Sequence, residues 1–136
     1  MPMYPLTLGR MGATNYRARE VWAPLFDKHG VKLAFEHHDH RYKRTGPIRG
    51  GKVVEDGGSG TIFLGDGNIG TVVSAGDKNH EVPPKSQWQP YIKNAGAQHH
   101  FFMVDLDGNG GANVQSIDHR GDVFDKVDVK SNIVTL

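Results

Sequence analysis

Residues 35–45, FEHHDHRYKRT, concentrate the side chains of this chain that can do chemistry. Three histidines and an aspartate fill four consecutive positions, and three cationic residues follow them. Imidazole and carboxylate are ligands that zinc, iron and manganese accept in proteins. The run therefore raises two alternatives, a metal site or a solvated polar loop at the end of a strand.

The strand before this run decides which of its side chains share a face. Residues 31–35, VKLAF, are short and rich in β-forming residues, so they predict a buried strand. If the chain stays extended, His38 and His40 point to one face, because side chains alternate along a strand. Two imidazoles on one face can serve as metal ligands, and His37 and Asp39 would then orient them from the other face. Spacing alone leaves a solvated loop as the alternative. Two ligands do not complete a tetrahedral or octahedral site.

A helix is predicted ahead of this strand. Residues 15–29 repeat apolar side chains at helical spacing, and Gly30 is a natural C-terminal stop. Pro24 inside the segment predicts a kink or a restart. Trp22 and Phe26 lie on the apolar stripe, and we expect both in the core.

The second half of the chain is predicted to be mostly antiparallel, which makes the fold class α+β in a single domain spanning 1–136. The turn DGNGG is typical of a hairpin. A calcium-binding loop over 105–116 is the weaker interpretation, because Ser116 stands at its twelfth position, where such a loop has glutamate. His99 and His100 are expected at a sheet edge. The predicted strands are 61–64, 100–106, 112–118 and 122–129, and the predicted irregular segments are 45–60, with a short KVV strand, and 74–98.

Composition and charge limit the classes of partner. The 136 residues contain 37% hydrophobic residues and have a net charge of +1, which argues against a nucleic-acid or membrane partner chosen by bulk electrostatics. Residues 1–52 are nevertheless basic, with ten Lys/Arg against four acids, and favour an anionic ligand. The absence of cysteine excludes disulfides and thiolate metal sites. We see no signal peptide and no apolar run near the roughly 20 residues that span a bilayer, so we expect a soluble chain of unknown compartment.

The histidine run resembles the last metal-binding motif of the calcineurin-like metallophosphoesterases, in the form found in purple acid phosphatases and their bacterial relatives. That motif is an apolar strand followed by Gly-His-x-His and then x-Tyr-x-Arg-(Ser/Thr). His37 departs from it, since many members have glycine there. The matching positions are His38, His40, Tyr42, Arg44 and Thr45.

Other segments resemble the same family in the same order along the chain. PMYP resembles the Pro-x-Tyr that follows an earlier ligand histidine, and the remaining similar segments are 25–35, 60–70 and 99–129. The family's upstream motifs, Asp-x-His, Gly-Asp-x-x-Asp and Gly-Asn-His-(Asp/Glu), do not precede the run, and KNHE at 78–81 follows it and reads as a surface loop. GDGNIG at 65–70 matches a dinucleotide fingerprint, but no helix is predicted after it.

The resemblance implies the C-terminal half of an α/β/β/α metallophosphoesterase sandwich, with the upstream half absent. It implies a phosphate-ester substrate and zinc, iron or manganese as cofactor, with His38 and His40 each left as one ligand of a two-metal site. Tyr42 and Arg44 become candidates for contact with phosphate. Many relatives are exported, but the compartment stays open.

Two functions follow as expectations. The first is a metal-dependent phosphoesterase fragment with an incomplete dinuclear site and weak or no activity as an isolated chain. The second is a non-catalytic metal-binding or structural fragment, or a scaffold repurposed for another activity. Half a sandwich exposes apolar faces and strand edges, so we also expect a homo-oligomer, most simply a dimer.

Overall fold

The computed structural model describes residues 2–6, 13–55, 58–66 and 89–130. The described part contains a helix, a short 3-10 turn at Gln89–Tyr91 and nine strands. Their bounds are α1 (Ala13–His29), β1 (Leu33–Glu36), β2 (Tyr42–Thr45), β3 (Ile48–Arg49), β4 (Lys52–Val53), β5 (Ile62–Asp66), β6 (Ile92–Gly96), β7 (His100–Leu106), β8 (Ala112–Asp118) and β9 (Val123–Val129).

The first sheet has the strand order β1-β5-β2-β6. Strands β1 and β5 are parallel, with Leu33 opposite Ile62 and Glu36 opposite Gly65, whereas β2 is antiparallel to both β5 and β6. Strand β5 therefore lies between the strand that enters the histidine run and the strand that leaves it. The run crosses over the carboxyl end of β5.

The second sheet is an antiparallel meander in the order β7-β8-β9, and β3 and β4 form a separate small hairpin. At the β7–β8 turn, Asp107 Oδ1 accepts hydrogen bonds from the backbone N–H groups of Asn109 (2.7 Å) and Gly111 (2.9 Å). Gly110 has a φ of 85°, a conformation that glycine adopts without steric cost. The predicted hairpin and the α+β fold class with mostly antiparallel strands are confirmed.

Strand β5 belongs to both hydrophobic cores because its side chains alternate. Phe63 points to one face and packs with Met3, Tyr4 and Ile48. On the other face, Ile62 and Leu64 pack with Val114 of the second sheet. The helix and residues 2–6 therefore cover one face of the first sheet, and the meander covers the other.

The helix buries a narrower stripe than its sequence predicts. Phe26 stacks on Phe63 with ring centroids 6.2 Å apart, as expected of a core residue. Trp22 is 53% exposed, so its predicted place in the core is wrong. Of the described apolar side chains of the helix, Ala18 and Phe26 pack against the core around Phe63. Pro24 lies inside α1, which runs on as one element.

Three strands form where no strand was predicted. Strand β2 contains the end of the histidine run, and its residues are polar yet mostly buried. Strand β3 lies in the predicted irregular segment 45–60, where the predicted KVV strand forms as β4. Strand β6 replaces the end of the predicted irregular segment 74–98, and the rest of that segment up to residue 88 lies outside the described residues. Most of GDGNIG and all of KNHE also lie outside them. Tertiary pairing of β2 between β5 and β6 outweighs local propensity here.

A buried ion pair joins the first sheet to residues 2–6. Glu36 and Lys43 both lie beside Gly65 of β5, and their side chains, exposed by only 5% and 1%, form an ion pair. A Cβ at position 65 would lie 2.8 Å from Lys43 Cγ, so glycine leaves the space that the lysine occupies. Lys43 Nζ also donates to the carbonyl of Tyr4 (2.5 Å), and Glu36 Oε1 accepts from the N–H of Met3 (2.5 Å).

In the described part of the chain, no helix is long and apolar enough to cross a bilayer.

Replacing Lys43 with methionine should destabilise the protein because it leaves the Glu36 carboxylate buried without its cation. The expected loss in the free energy of unfolding is about 3–5 kcal/mol, measured by urea denaturation followed by circular dichroism. Asp122→Asn is the matched control, because Asp122 pairs with Arg120 while 72% and 68% of their side chains are exposed. That control should change stability little, and equal losses in the two variants would contradict a special role for the buried pair.

Candidate functional site

The histidine run forms a bent loop rather than an extension of strand β1. The strand ends at Glu36, the chain bends at His38 and Asp39, and β2 begins at Tyr42. His38 has a φ of 79°, in the left-handed region that favours glycine. The expectation of continued extension is therefore wrong, because the chain must turn across the end of β5 to reach its other side.

The aspartate of the run anchors this loop to the N-terminal segment. Asp39 is 2% exposed, and its Oδ2 accepts a hydrogen bond from the backbone N–H of Leu6 at 2.5 Å. The neighbouring Arg41 is also buried, and burial lowers the pKa of its guanidinium while the carboxylate of Asp39 opposes that shift. Asp39 therefore orients the loop through the backbone of residues 2–6.

The three histidines lie on the accessible side of the loop. His37 and His38 are exposed and His40 is half-buried. Among the residues that the structure describes, no group of three or more His, Cys, Asp or Glu side chains comes together in a way that could hold a metal ion. The described residues therefore do not fit a complete metal site, and the assignment of His38 and His40 as ligands stays a prediction.

Tyr42 and Arg44, the candidates for contact with phosphate, converge on Asp125 of strand β9. The Arg44 guanidinium donates to both carboxylate oxygens, from Nε to Oδ2 at 2.6 Å and from Nη2 to Oδ1 at 3.0 Å. The Tyr42 hydroxyl donates to Asp125 Oδ2 and accepts from Ser116 Oγ at 3.3 Å. This network ties strand β2, next to the histidine loop, to the meander.

The network also fixes the protonation states of its members. Burial, together with the hydrogen bond to Asp125, raises the pKa of the Tyr42 hydroxyl well above its usual range, so the phenol stays neutral. Burial pushes the pKa of Asp125 upward, but hydrogen bonds from Arg44 and Tyr42 outweigh it and hold that pKa below its usual range. Asp125 is therefore an anion that already accepts hydrogen bonds from Arg44, Tyr42 and Asn94.

His100 opens β7, an edge strand of the described meander, as expected, but its burial was not predicted. It is 2% exposed, and its ring contacts those of Tyr42 (4.9 Å between centroids) and Phe102 (5.0 Å). Its Nδ1 lies 2.9 Å from the carbonyl oxygen of Gln98, and its Nε2 lies 3.1 Å from that of Gly65. The alternation of side chains along β7 contains the missed signal, since His100 shares its face with Phe102.

Comparison with known proteins shows the fold alone. No family model matches the sequence, and no curated protein matches it. Among solved structures, purple acid phosphatase PPD1 from yellow lupin (Lupinus luteus) seeds is similar, with a TM-score of 0.65 and 20% sequence identity. The similarity covers 80% of this chain and 19% of that one, so this chain spans less than a fifth of that phosphatase. The fold is therefore similar to that of part of this phosphatase.

Replacing Asp125 with asparagine should lower the free energy of unfolding by an amount that depends on pH. Because its folded pKa is depressed, the carboxylate stabilises the protein above its unfolded value of 3.8, and that contribution is lost as the pH falls through the folded value. We expect D125N to lose about 1–2 kcal/mol of unfolding free energy near neutral pH. Urea denaturation of both proteins at several pH values should show this difference shrinking in acid.

Asp128→Asn is the control for that experiment, because Asp128 is an exposed acid on the same strand that accepts one hydrogen bond from Asn113. Its effect should be small at every pH. A D125N difference that stays constant down to acid pH would contradict the argument.

Proposed function

We propose that this chain is a metallophosphoesterase-type piece that supplies His38 and His40 to a metal site whose other ligands come from a second polypeptide segment. The fold likeness to a purple acid phosphatase and the match of the histidine run to the family's last metal motif support this proposal. The segment in question lies in a partner chain or in protein outside these 136 residues. With those ligands in place, the complex would hydrolyse phosphate esters.

The observation that best supports the proposal is that the loop is anchored by one buried side chain while its candidate ligands are exposed or half-buried. Asp39 is buried and holds the loop through the N–H of Leu6, while His38 is exposed and His40 half-buried. The buried Asp39 thus anchors the loop, while the imidazoles of His38 and His40 stay fully or partly exposed. A fixed loop that presents ligands outward suits a site completed by another segment.

The number of ligands that the loop can supply argues for weak or no activity of the chain by itself. Zinc sites have at least three protein ligands, and a two-metal phosphoesterase needs more. Two imidazoles offer one ligand to each metal, so zinc, iron or manganese would bind loosely and no catalytic residue is assigned in this chain.

A non-catalytic metal-binding or structural role is the second candidate. It is favoured by the network around Asp125, because Arg44 donates from both Nε and Nη2 to the carboxylate and Tyr42 is fully buried. In this arrangement, both candidates for phosphate contact connect the two sheets.

Metal titration tests the first proposal directly. Isothermal titration of the metal-free chain with zinc or manganese should show weak, saturable binding that His38→Ala combined with His40→Ala abolishes. Hydrolysis of an aryl phosphate with added zinc, iron or manganese should be slow or absent in the wild type, and whatever rate exists should disappear in the double variant.

His29→Ala combined with His119→Ala is the matched control, because both histidines are exposed and lie outside the histidine run. This control should retain metal binding. If the His38/His40 double variant keeps full binding and full activity, the proposed ligands are wrong; if it loses binding while no hydrolysis occurs under any condition, the non-catalytic role is correct.

We also propose that the chain associates with a second copy through helix α1. Val21, Trp22 and Leu25 are 58%, 53% and 41% exposed and lie on one side of the helix. This side adjoins the face that packs on Phe63, and the Trp22 ring contacts that of Phe26 at 6.3 Å between centroids. Exposed apolar side chains in such a group are typical of an interaction surface. In a two-fold symmetric dimer, the same face of α1 in a second chain would cover these side chains.

Light scattering tests this association. At micromolar concentrations, the wild type should have about twice the 15.0 kDa mass of the chain, and Trp22→Glu should shift the mass toward that of the monomer. Phe101→Glu is the control, because Phe101 is similarly exposed but lies on strand β7. A monomeric wild type, or an equal effect of the two substitutions, would overturn the proposal.

A further inference from the structure

A cleft lined by lysines lies between the first sheet and strand β9. We call it the lysine cleft and define it by Lys32, Lys93, Lys126 and Lys130, which line a cavity of about 640 Å³. Thr45, Gly46 and Pro47, at the end of β2, also line it. Its cationic residues thus come from both halves of the sequence. The excess of basic residues in 1–52 had suggested an anion site in that half alone.

The lysine cleft lies at the end of the first sheet opposite to the histidine loop. Lys32 precedes β1 and the histidines follow it, so the length of that strand, about 13 Å for four residues, separates them. Gly60, which precedes the parallel strand β5, lines the cleft as well. The cleft is therefore distinct from the site proposed above.

Positive charge in the cleft is not balanced by the described residues that line it. Four lysines face one carboxylate, that of Asp128, and the fifth cation, Arg44, is neutralised by Asp125. Within the part of the chain that the structure describes, no carboxylate forms an ion pair with any of the four lysines. Burial lowers the pKa of Lys32, and no described carboxylate opposes that shift. A bound anion would supply the missing negative charge.

We propose that the lysine cleft binds a compact polyanion that bears several phosphate groups. The cavity has the size of a small-molecule site, and several ammonium groups around one cavity suit several phosphates of one ligand. Among the described residues that line it, no aromatic side chain offers a stacking surface, which disfavours single-stranded nucleic acid. The phosphate groups themselves, rather than a base or a sugar, are therefore the recognised part.

Calorimetric titration with inorganic tripolyphosphate tests the proposal. The full chain is used in buffer with EDTA, so that no metal at the histidine loop contributes. Saturable binding is expected, and it should weaken as salt is added because the lysines are largely exposed. Lys93→Gln combined with Lys126→Gln should weaken binding by about tenfold or more, since charge-assisted contacts with phosphate oxygens are lost.

Arg17→Gln combined with Lys52→Gln is the matched control. It removes two exposed positive charges that do not line the cleft, so the net charge changes equally. This control should bind tripolyphosphate as the wild type does. If both double variants weaken tripolyphosphate binding equally, the effect is one of net charge and the proposal is wrong. The absence of saturable binding by the wild type would also overturn it.

Three further measurements locate the bound anion and define its class. The His38→Ala/His40→Ala variant should bind tripolyphosphate unchanged, and loss of binding in that variant would place the ligand at the histidine loop instead. Backbone amide shifts on titration of the wild type should cluster at Lys32, Thr45 and Lys93, and shifts confined elsewhere would overturn the assignment. Tighter binding of a single-stranded oligonucleotide of about 20 nucleotides than of tripolyphosphate would overturn the ligand class.

Discussion

The buried ion pair between Glu36 and Lys43 is the contact on which the arrangement of the first sheet depends. Two charges inside a protein are costly unless they are paired and further hydrogen-bonded, and here residues 2–6 supply those further partners. The pair sits over Gly65, the one position on β5 where the absence of a side chain leaves room for it. Sequence-distant parts of the chain thereby meet at one point: the N-terminal segment, the two strands that flank β5 and the loop between them.

This constraint explains which parts of the fold the sequence could predict. The helix, the hairpin at DGNGG and the strands of the meander follow from local patterns, because apolar periodicity and turn residues act over a few neighbours. Strand β2 could not be predicted this way, since YKRT is polar and its burial depends on partners outside the strand. Lys43 pairs with Glu36 on β1, and Arg44 pairs with Asp125, which lies 81 residues further along the chain. Trp22 shows the opposite error, an apolar side chain on a helical stripe that no described surface covers.

The candidate site was predictable in composition but not in geometry. The run of histidines marks the loop, and the family resemblance assigns roles within it, yet the bend at His38 depends on the order of strands in the sheet. Alternation along an extended strand was the wrong rule for a segment that must cross over β5. Alternation along the strand would have placed His100 correctly, because His100 and Phe102 share the face of β7 that lies between the sheets. Periodicity is informative inside an element and misleading just beyond its end.

Gly65 also links the two sheets through its backbone. Its Cα faces the Glu36–Lys43 pair, and its carbonyl oxygen lies within hydrogen-bonding distance of the buried imidazole of His100 in the second sheet. A displacement of the β5 backbone at this residue would disturb the packing on both sides at once. The helix layer and the meander therefore form one cooperative unit, whose interior amides would exchange with solvent through a common opening rather than layer by layer.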